Sequence, residues 1–543
     1  MKVAVVGSGV SGLAATWLLN EHSEHEVHLY EADSRPGGHA NTVEFIPPGS
    51  GLSPGEGVFV DSGFIVMNPS TYPNFLRFLG YAPNKSSWLG RLFGLRPDQS
   101  NEGITIVPTE MTFSVTRDGG AFEWAGKNLF TVFCQPRRIL DSRMWRMIYD
   151  VLRFNACAYR FLLKEDYSVN GSIGEYLQKH NYSDFFRNNY LIPMTAAIWS
   201  TPPGKCFEDF PAKTLIQFMY NHHLLQITGK PSWLTIQGGS HHYVKRILAE
   251  LPKHQLHLNT PVVAVTTRDN DSSVVLKTQA GAEVDFDHVI FACHSDTALE
   301  ILKSGNVTPE EERILGSFSW NRNEVILHSD ARMMPKSKSA WSCWNYLTTG
   351  KKDDKISLTY GMNDLQHIPE EKWGPVLCTL NPPFEADSDK VVGRWKYDHP
   401  VLDASAVQAQ NEMPKIQNQR GITYAGAYLK YGFHEDGFTS GMLAACAIDE
   451  ERGSFPRFSP ERQGRESNSM AIPVRAKTVK PPFDIQYADH HLALRRQGRW
   501  TVQYAVALLF DIFEWTGLRG LLGVVGGAVL CAFSMLLGLS HAE

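Results

Sequence analysis

The chain has 543 residues, more than one ordinary domain holds, and its length points to two or three. Hydrophobic residues make up 43% and charged residues 20%, enough apolar material for a folded core. The net charge of −5 gives no bulk attraction to nucleic acid or to an anionic membrane, and no basic patch interleaved with aromatics is present, so no nucleic-acid role is assigned.

The first stretch, Lys2 to Thr42, carries the most specific signal. An apolar run, Val3 to Val6, predicts a buried strand, and Gly7, Gly9 and Gly12 follow at the spacing G-x-G-x-x-G. A helical pattern through Leu13, Ala14, Leu18 and Leu19 comes next, then a second strand, Val27 to Tyr30, ending on Glu31. Gly7 permits the tight turn, Gly9 lets backbone approach a pyrophosphate, and Gly12 lets helix and strand pack closely. The helix start offers free N–H groups to phosphate. Glu31 lies 19 positions after Gly12, where an acid accepts hydrogen bonds from ribose hydroxyls. A second glycine pair, Gly37-Gly38, brings another backbone segment toward the same ligand.

These residues, Gly7 to Gly12, Glu31-Ala32 and Arg35-x-Gly37-Gly38, resemble the FAD signature of the flavin amine oxidase superfamily. That group includes monoamine and polyamine oxidases, protoporphyrinogen oxidase and carotenoid desaturases. Where the amine oxidases usually carry Arg after the glycine pair, this chain has His39. That spelling is similar to a branch of NAD/FAD-binding proteins associated with fatty-acid-modifying enzymes. The resemblance implies an α/β fold of the amine-oxidase type: an FAD-binding Rossmann-like domain with an interleaved α+β substrate domain. It further implies that Ser11 in the phosphate loop and Ala32 beside Glu31 contact the cofactor.

Pro47 to Gly57, with three prolines and four glycines, reads as a surface loop. In Val58 to Met67, the resemblance places Asp61 and Gly63 beside the flavin; the same residues alone would suit an ordinary turn. Tyr72 to Leu79 predicts a helix, Met111 to Trp124 a hairpin around Arg117-Asp118-Gly119-Gly120, and Asn128 to Leu191 a largely helical, aromatic-rich block. Gly238-Gly239-Ser240 opens a helix through Val244 and Ile247. Short strands follow at Leu256 to Leu258, Thr260 to Val265, Val274 to Lys277 and Asp285 to Ala292. By resemblance, backbone at Val262 or Val263 meets the adenine. Further strands are predicted at Asn323 to His328, Ile356 to Tyr360 and Val376 to Leu380.

Gly421 to Asp449 resembles the superfamily's closing motif. A strand reaches Gly426, a loop holds His434, Glu435, Asp436 and Gly437, and Ser440-Gly441 opens an apolar helix from Met442 to Ile448. Such a helix start stabilises negative charge on reduced flavin. The resemblance makes Gly426, Asp436, Gly437, Gly441 and Met442 cofactor contacts; Ala427 stands where the family often has an acid. His39 and His434 are candidate acid–base residues, each with the alternative of a structural hydrogen-bonder. No metal-ligand spacing is present, and Cys446 does not match the covalent flavin attachment of monoamine oxidases, so FAD is expected to be non-covalent.

The dinucleotide domain is expected over 1–70, 233–315 and 416–450, with the substrate domain over 71–232 and 316–415. Residues 451–500, polar, basic and proline-bearing, read as a linker, and 501–520 as an amphipathic segment. Leu521 to Ser540 gives 20 uncharged residues, long enough to span a ~30 Å hydrocarbon core. The expectation is a single-pass C-terminal anchor, oriented by Arg495, Arg496, Arg499 and Arg519 with the catalytic body toward the cytosol. The eight scattered cysteines, none in C-x-x-C spacing, read as free thiols.

Two functions from different classes follow. One is an FAD-dependent oxidoreductase acting on a small hydrophobic molecule, such as an acyl lipid, with amine oxidation as its variant. The other is a non-enzymatic lipid carrier like the GDP-dissociation-inhibitor proteins of related fold; Glu31 and the complete closing motif argue against it.

Overall fold

The computed structural model describes residues 1–81, 103–163, 171–202, 204, 210–226, 231–268, 273–348, 356–449, 476–490 and 502–536. It divides into two interleaved units. The first comprises Met1–Thr109, Ser232–Arg322 and Lys396–Ala488; the second comprises Glu110–Pro231, Asn323–Trp395 and Asp489–Glu543.

In the first unit the apolar run Lys2–Val6 is the central strand of a five-stranded sheet. In sheet order the strands are Ile422–Tyr424, His288–Phe291, Lys2–Val6, Glu26–Tyr30 and Leu256–His257, all parallel. A parallel sheet covered on both faces needs strands that are apolar on both sides. Here Val3, Val5, Val27, Leu29 and Ile290 pack into one core, and Ala4, Val6, Val289, Phe291, Ile422 and Tyr424 into the other. The helix Val10–Glu21 covers the first face and packs along the helix His434–Ala447, which returns from the far end of the body.

Glycines set that approach. A Cβ on Gly441 would stand 2.1 Å from the Ser11 carbonyl oxygen, and one on Gly12 would stand 1.8 Å from that of Gly7. The sequence expectation of a loop through Gly437 is corrected: the closing helix begins at His434, so His434 to Gly437 are its first turn. Asp436 accepts the Phe433 N–H at 3.0 Å, and two acids in this turn favour a helix start.

The stretch read as one strand, Asp285 to Ala292, is two. Glu283–Phe286 joins an antiparallel three-stranded sheet with Val262–Thr267 and Val274–Thr278, while His288–Phe291 joins the parallel sheet. The break falls at Asp287, whose carboxylate accepts the Lys2 N–H at 2.6 Å.

The second unit is built on a seven-stranded sheet, Val391–Pro400, Trp320–His328, Leu377–Leu380, Ser357–Gly361, Trp344–Thr348, Phe113–Arg117 and Phe122–Ala125 in order. The unit division falls inside its first two strands, at Trp395 and Arg322. The predicted hairpin is its edge pair, Phe113–Arg117 with Phe122–Ala125. The helical block includes the long amphipathic helix Ser142–Leu163.

One expectation for the C-terminal region is corrected: within the stretch read as a linker, Val479, Ile485 and Tyr487 are buried in the core of the first unit. Within the segment read as amphipathic, Val502–Trp515 is a helix packed on Ser142–Leu163. The remaining parts of the linker, 451–475 and 491–500, and the last part of the expected anchor, 537–540, lie outside the described residues. Among the described residues no single helix is long and apolar enough to cross a membrane; Tyr504–Trp515 and Leu518–Ala532 meet that test only as a pair bent by 73°. Among the described residues no two cysteines form a disulfide.

The Gly441 contact gives a first test. Gly441→Ala forces the closing helix away from the helix Val10–Glu21 and is expected to cost about 1–3 kcal/mol, the usual penalty of overpacking a tight core. Urea unfolding of the two proteins side by side measures it; equal midpoints would show that the contact is looser than its geometry.

Candidate functional site

Four stretches leave the parallel sheet at one edge. Gly7 follows Val6, Glu31 follows Tyr30, Ala292 follows Phe291, and Ala425-Gly426 follows Tyr424. Backbone bonds hold them in line: Gly7 N–H to Tyr30 O at 2.8 Å, Ala292 N–H to Val6 O at 2.8 Å and Ala425 N–H to Phe291 O at 2.8 Å. The carboxyl edge of an open parallel sheet is where such folds bind ligands.

At this edge the helix Val10–Glu21 starts on Gly9 without any side-chain cap. A Cβ on Gly9 would meet nothing within 4 Å, so the backbone faces open space, as a phosphate cradle requires. Gly7 adopts φ +104°, a conformation that favours glycine. Gly38 stacks on this turn, its missing Cβ 3.1 Å from the Gly9 Cα, and Gly37 donates its N–H to Ser8 O at 3.0 Å. Ser11 is buried beneath Gly437 and Gly441. Glu31 accepts the Ser8 N–H at 2.9 Å, the Ser8 hydroxyl at 2.5 Å and the Asp33 N–H at 2.9 Å. A carboxylate offers roughly four acceptor sites, so acceptor capacity remains. Ala32 is exposed beside it. Thr260 N–H bonds Glu31 O at 2.8 Å, which brings the strand start at Val262 and Val263 alongside; a bulge there leaves Val263 exposed and Val262 buried.

Other sequence candidates have different surroundings. Asp61 directs its carboxylate to Thr42 and to the Ser240 N–H and hydroxyl at 2.6–3.1 Å, stapling a hairpin to the helix His241–Glu250. Gly63 is required by the His39 carbonyl, 2.3 Å from where its Cβ would be. Gly426 donates to the Ser440 hydroxyl at 2.9 Å, and Met442 is fully buried. His434 lies flat on Phe64, ring centroids 3.7 Å apart, with Nε2 2.9 Å from the Tyr243 hydroxyl; burial lowers its pKa to about 3. This is the packing of a neutral core histidine.

His39 differs. Its Nε2 is shielded from solvent and has no hydrogen-bond partner among the described residues. Around it stand Tyr397, His399 and His294, with ring centroids 4.8, 5.4 and 6.5 Å away. Tyr397 is fixed by Asn41 at 2.8 Å and Ser62 at 2.7 Å, and His294 stacks on Trp320 at 3.9 Å. Burial lowers all three imidazoles. His39 lies well below its usual value, helped by repulsion from His399 and His294; His399 falls to about 4 and His294 is lowered despite Asp296 and Asp398. Both acids are bound by Arg322.

Sequence reasoning missed His294, Tyr397 and His399. Tyr397 and His399 share one face of a strand by their spacing of two, but nothing local pairs that face with His39. It also missed Glu435, which is buried and accepts the N–H groups of Asn74 at 2.8 Å and Phe75 at 3.0 Å; burial pushes its pKa up to about 8.

Comparison with known proteins agrees with this geometry. A model described as an NAD(P)-binding Rossmann-like domain matches residues 5–82, and one described as flavin containing amine oxidoreductase matches 137–353. No curated protein sequence matches. A fatty acid isomerase from P. acnes that produces CLA is 14% identical, with TM-score 0.53, covering 81% of this chain and 96% of its own. Cyclohexylamine oxidase from Brevibacterium oxydans is 13% identical, with TM-score 0.53 and coverage of 82% and 98%. Reduced UDP-galactopyranose mutase is 14% identical, with TM-score 0.53 and coverage of 82% and 93%. At such identities the likeness concerns the fold alone. The matched models and the site define the class: an FAD-dependent oxidoreductase with a Rossmann-like domain. Within it, residues 137–353 are similar to the flavin containing amine oxidoreductases.

The lowered imidazoles carry a pH consequence. A histidine whose folded pKa lies below its unfolded value lends stability that is present above the unfolded pKa and lost as the pH falls. Stability is therefore expected to drop by on the order of 1–3 kcal/mol between about pH 6.5 and 4. His399→Asn should flatten that slope in urea unfolding; an unchanged slope would remove His399 from the account.

Proposed function

We propose that this flavoenzyme acts on an uncharged hydrophobic small molecule, an acyl lipid foremost, by dehydrogenation, desaturation or double-bond isomerisation, while attached to a membrane. The observation that carries this is the set of neutral imidazoles beside Gly37-Gly38, with both nearby acids, Asp296 and Asp398, bound by Arg322. That environment suits a substrate without charge. The fatty acid isomerase of similar fold is consistent with an acyl chain as the substrate's apolar part.

Residue roles follow. Gly9, Ser11 and the uncapped helix start take the pyrophosphate, Glu31 the ribose, and the Val262–Val263 backbone the adenine. Gly37, Gly38, Gly426, Gly437 and Gly441 keep backbone close to FAD, which is held non-covalently; Cys446 is buried inside its helix and offers no attachment point. FAD supplies the electron acceptance when bound. His39 Nε2 is the atom free to take or return a substrate proton, and neutral imidazole is the form that accepts one. Tyr397, anchored by Asn41 and Ser62, fixes the ring face beside it.

Amine oxidation is the second reading, favoured by the matched family model. Purified protein should show the flavin band near ~450 nm. Acyl lipids should bleach it anaerobically or emerge with a shifted double bond; bleaching by amines alone, with acyl lipids unchanged, would establish the second reading instead. His39→Gln should keep the band and slow turnover about a hundredfold.

A further inference from the structure

The second unit carries a helix whose polarity is reversed. A surface helix normally turns its apolar stripe inward and its charges outward. In Val502–Trp515 the residues facing the long helix Ser142–Leu163 are Ala507, Phe510, Asp511 and Glu514. Arg160 clasps Asp511 with both terminal nitrogens, and Tyr149 donates to Glu514 at 2.9 Å. Arg153 and Arg519 stand 3.7 and 2.8 Å from the same Glu514. Those ion pairs hold the opposite stripe outward: Leu509, Ile512 and Trp515 are 58%, 52% and 88% exposed.

The following helix, Leu518–Leu536, continues this surface. Leu521, Val524, Val525 and Val529 are all more than half exposed, and beyond Arg519 its described length bears no charge. Contiguous exposed apolar area of this kind marks an interaction surface. Its charge pattern names the occupant. The acids of these helices, Asp511 and Glu514, are neutralised from within. The cations nearby are Arg519 at the bend and the exposed Arg137 on the neighbouring turn Pro136–Leu140. In sequence alone, Arg495, Arg496 and Arg499 precede the first helix. Apolar residues with Trp at the boundary and arginines at the rim, Arg137 exposed among them, complement a layer of lipid phosphates over acyl chains. The 73° bend between two segments, neither of which is long and apolar enough to cross alone over its described residues, suits helices lying in the interface.

We propose that the bent pair Val502–Trp515 and Leu518–Leu536 lies in the interfacial plane of a phospholipid bilayer and holds the second unit to it without crossing. This rests on the membrane attachment in the functional reading above and adds its geometry.

The test uses full-length protein, flavin-loaded as purified, with phosphatidylcholine vesicles with and without phosphatidylserine. Flotation is expected with both, and more strongly with phosphatidylserine. Leu509→Ser, Ile512→Ser and Trp515→Ser combined should weaken flotation by at least about tenfold while the flavin band and the unfolding midpoint stay. Wild-type flotation by that variant overturns the surface. A fluorescent dansyl residue encoded at position 524 separates the geometry from the attachment. Quenching by lipids brominated near the headgroup supports the plane; quenching only by lipids brominated near the chain ends overturns it and leaves membrane attachment intact. Absence of wild-type flotation, with self-association through this face, overturns both.

Discussion

The contact on which the first unit depends is the one between Ser11 and Gly441, residues separated by most of the chain. The Ser11 carbonyl occupies the place a Gly441 side chain would take. It brings the closing helix against the phosphate-loop helix, and Gly437 does the same one turn earlier against Val10. Because both helices then sit on the same face of the parallel sheet, their starts come to one edge, together with the ends of four strands. Remove the close approach and the glycine turns would still form, but the two halves of the cradle would no longer share a ligand.

Polar residues at that edge fall into two kinds. Asp61, Glu435 and His434 are satisfied by protein partners: Asp61 by Thr42 and Ser240, Glu435 by the N–H groups of Asn74 and Phe75, His434 by Tyr243. They brace the scaffold. His39 is enclosed by aromatic rings yet keeps an unpartnered nitrogen. Buried polar atoms without partners cost stability and persist where something else compensates. That contrast ranks His39 above His434.

Local signals were legible. Val3 to Val6, the three glycines and Glu31 form a short strand–turn–helix–strand whose geometry is set within about 30 residues, so periodicity and spacing suffice. Non-local pairings were not. Asp285 to Ala292 reads as one continuous strand in sequence, and the partner strands, Val274–Thr278 on one side and Lys2–Val6 on the other, divide it at Asp287. Gly437 reads as a loop residue, because glycine disfavours helices, yet it lies in the closing helix; the reason for it, as for Gly441, is the neighbouring helix, which no local window contains. The inward placement of Asp511 and Glu514 has no local signal either; Arg160 and Arg153, which pair with them, lie on a helix more than three hundred residues earlier.

The threading of the two units also bears on how the chain acquires its shape. The strands His288–Phe291 and Ile422–Tyr424 join the sheet only after long excursions of the chain through the second unit. During synthesis from the amino terminus, the phosphate turn and its helix emerge first, with their apolar face uncovered until the closing helix arrives. The late segment containing Val479, Ile485 and Tyr487 is part of the same core, so assembly of the first unit is completed from its carboxyl side. High contact order of this sort makes folding slow and leaves adhesive surface waiting. For such a chain, the ribosome's order of delivery and the need for holding assistance are written into the topology itself.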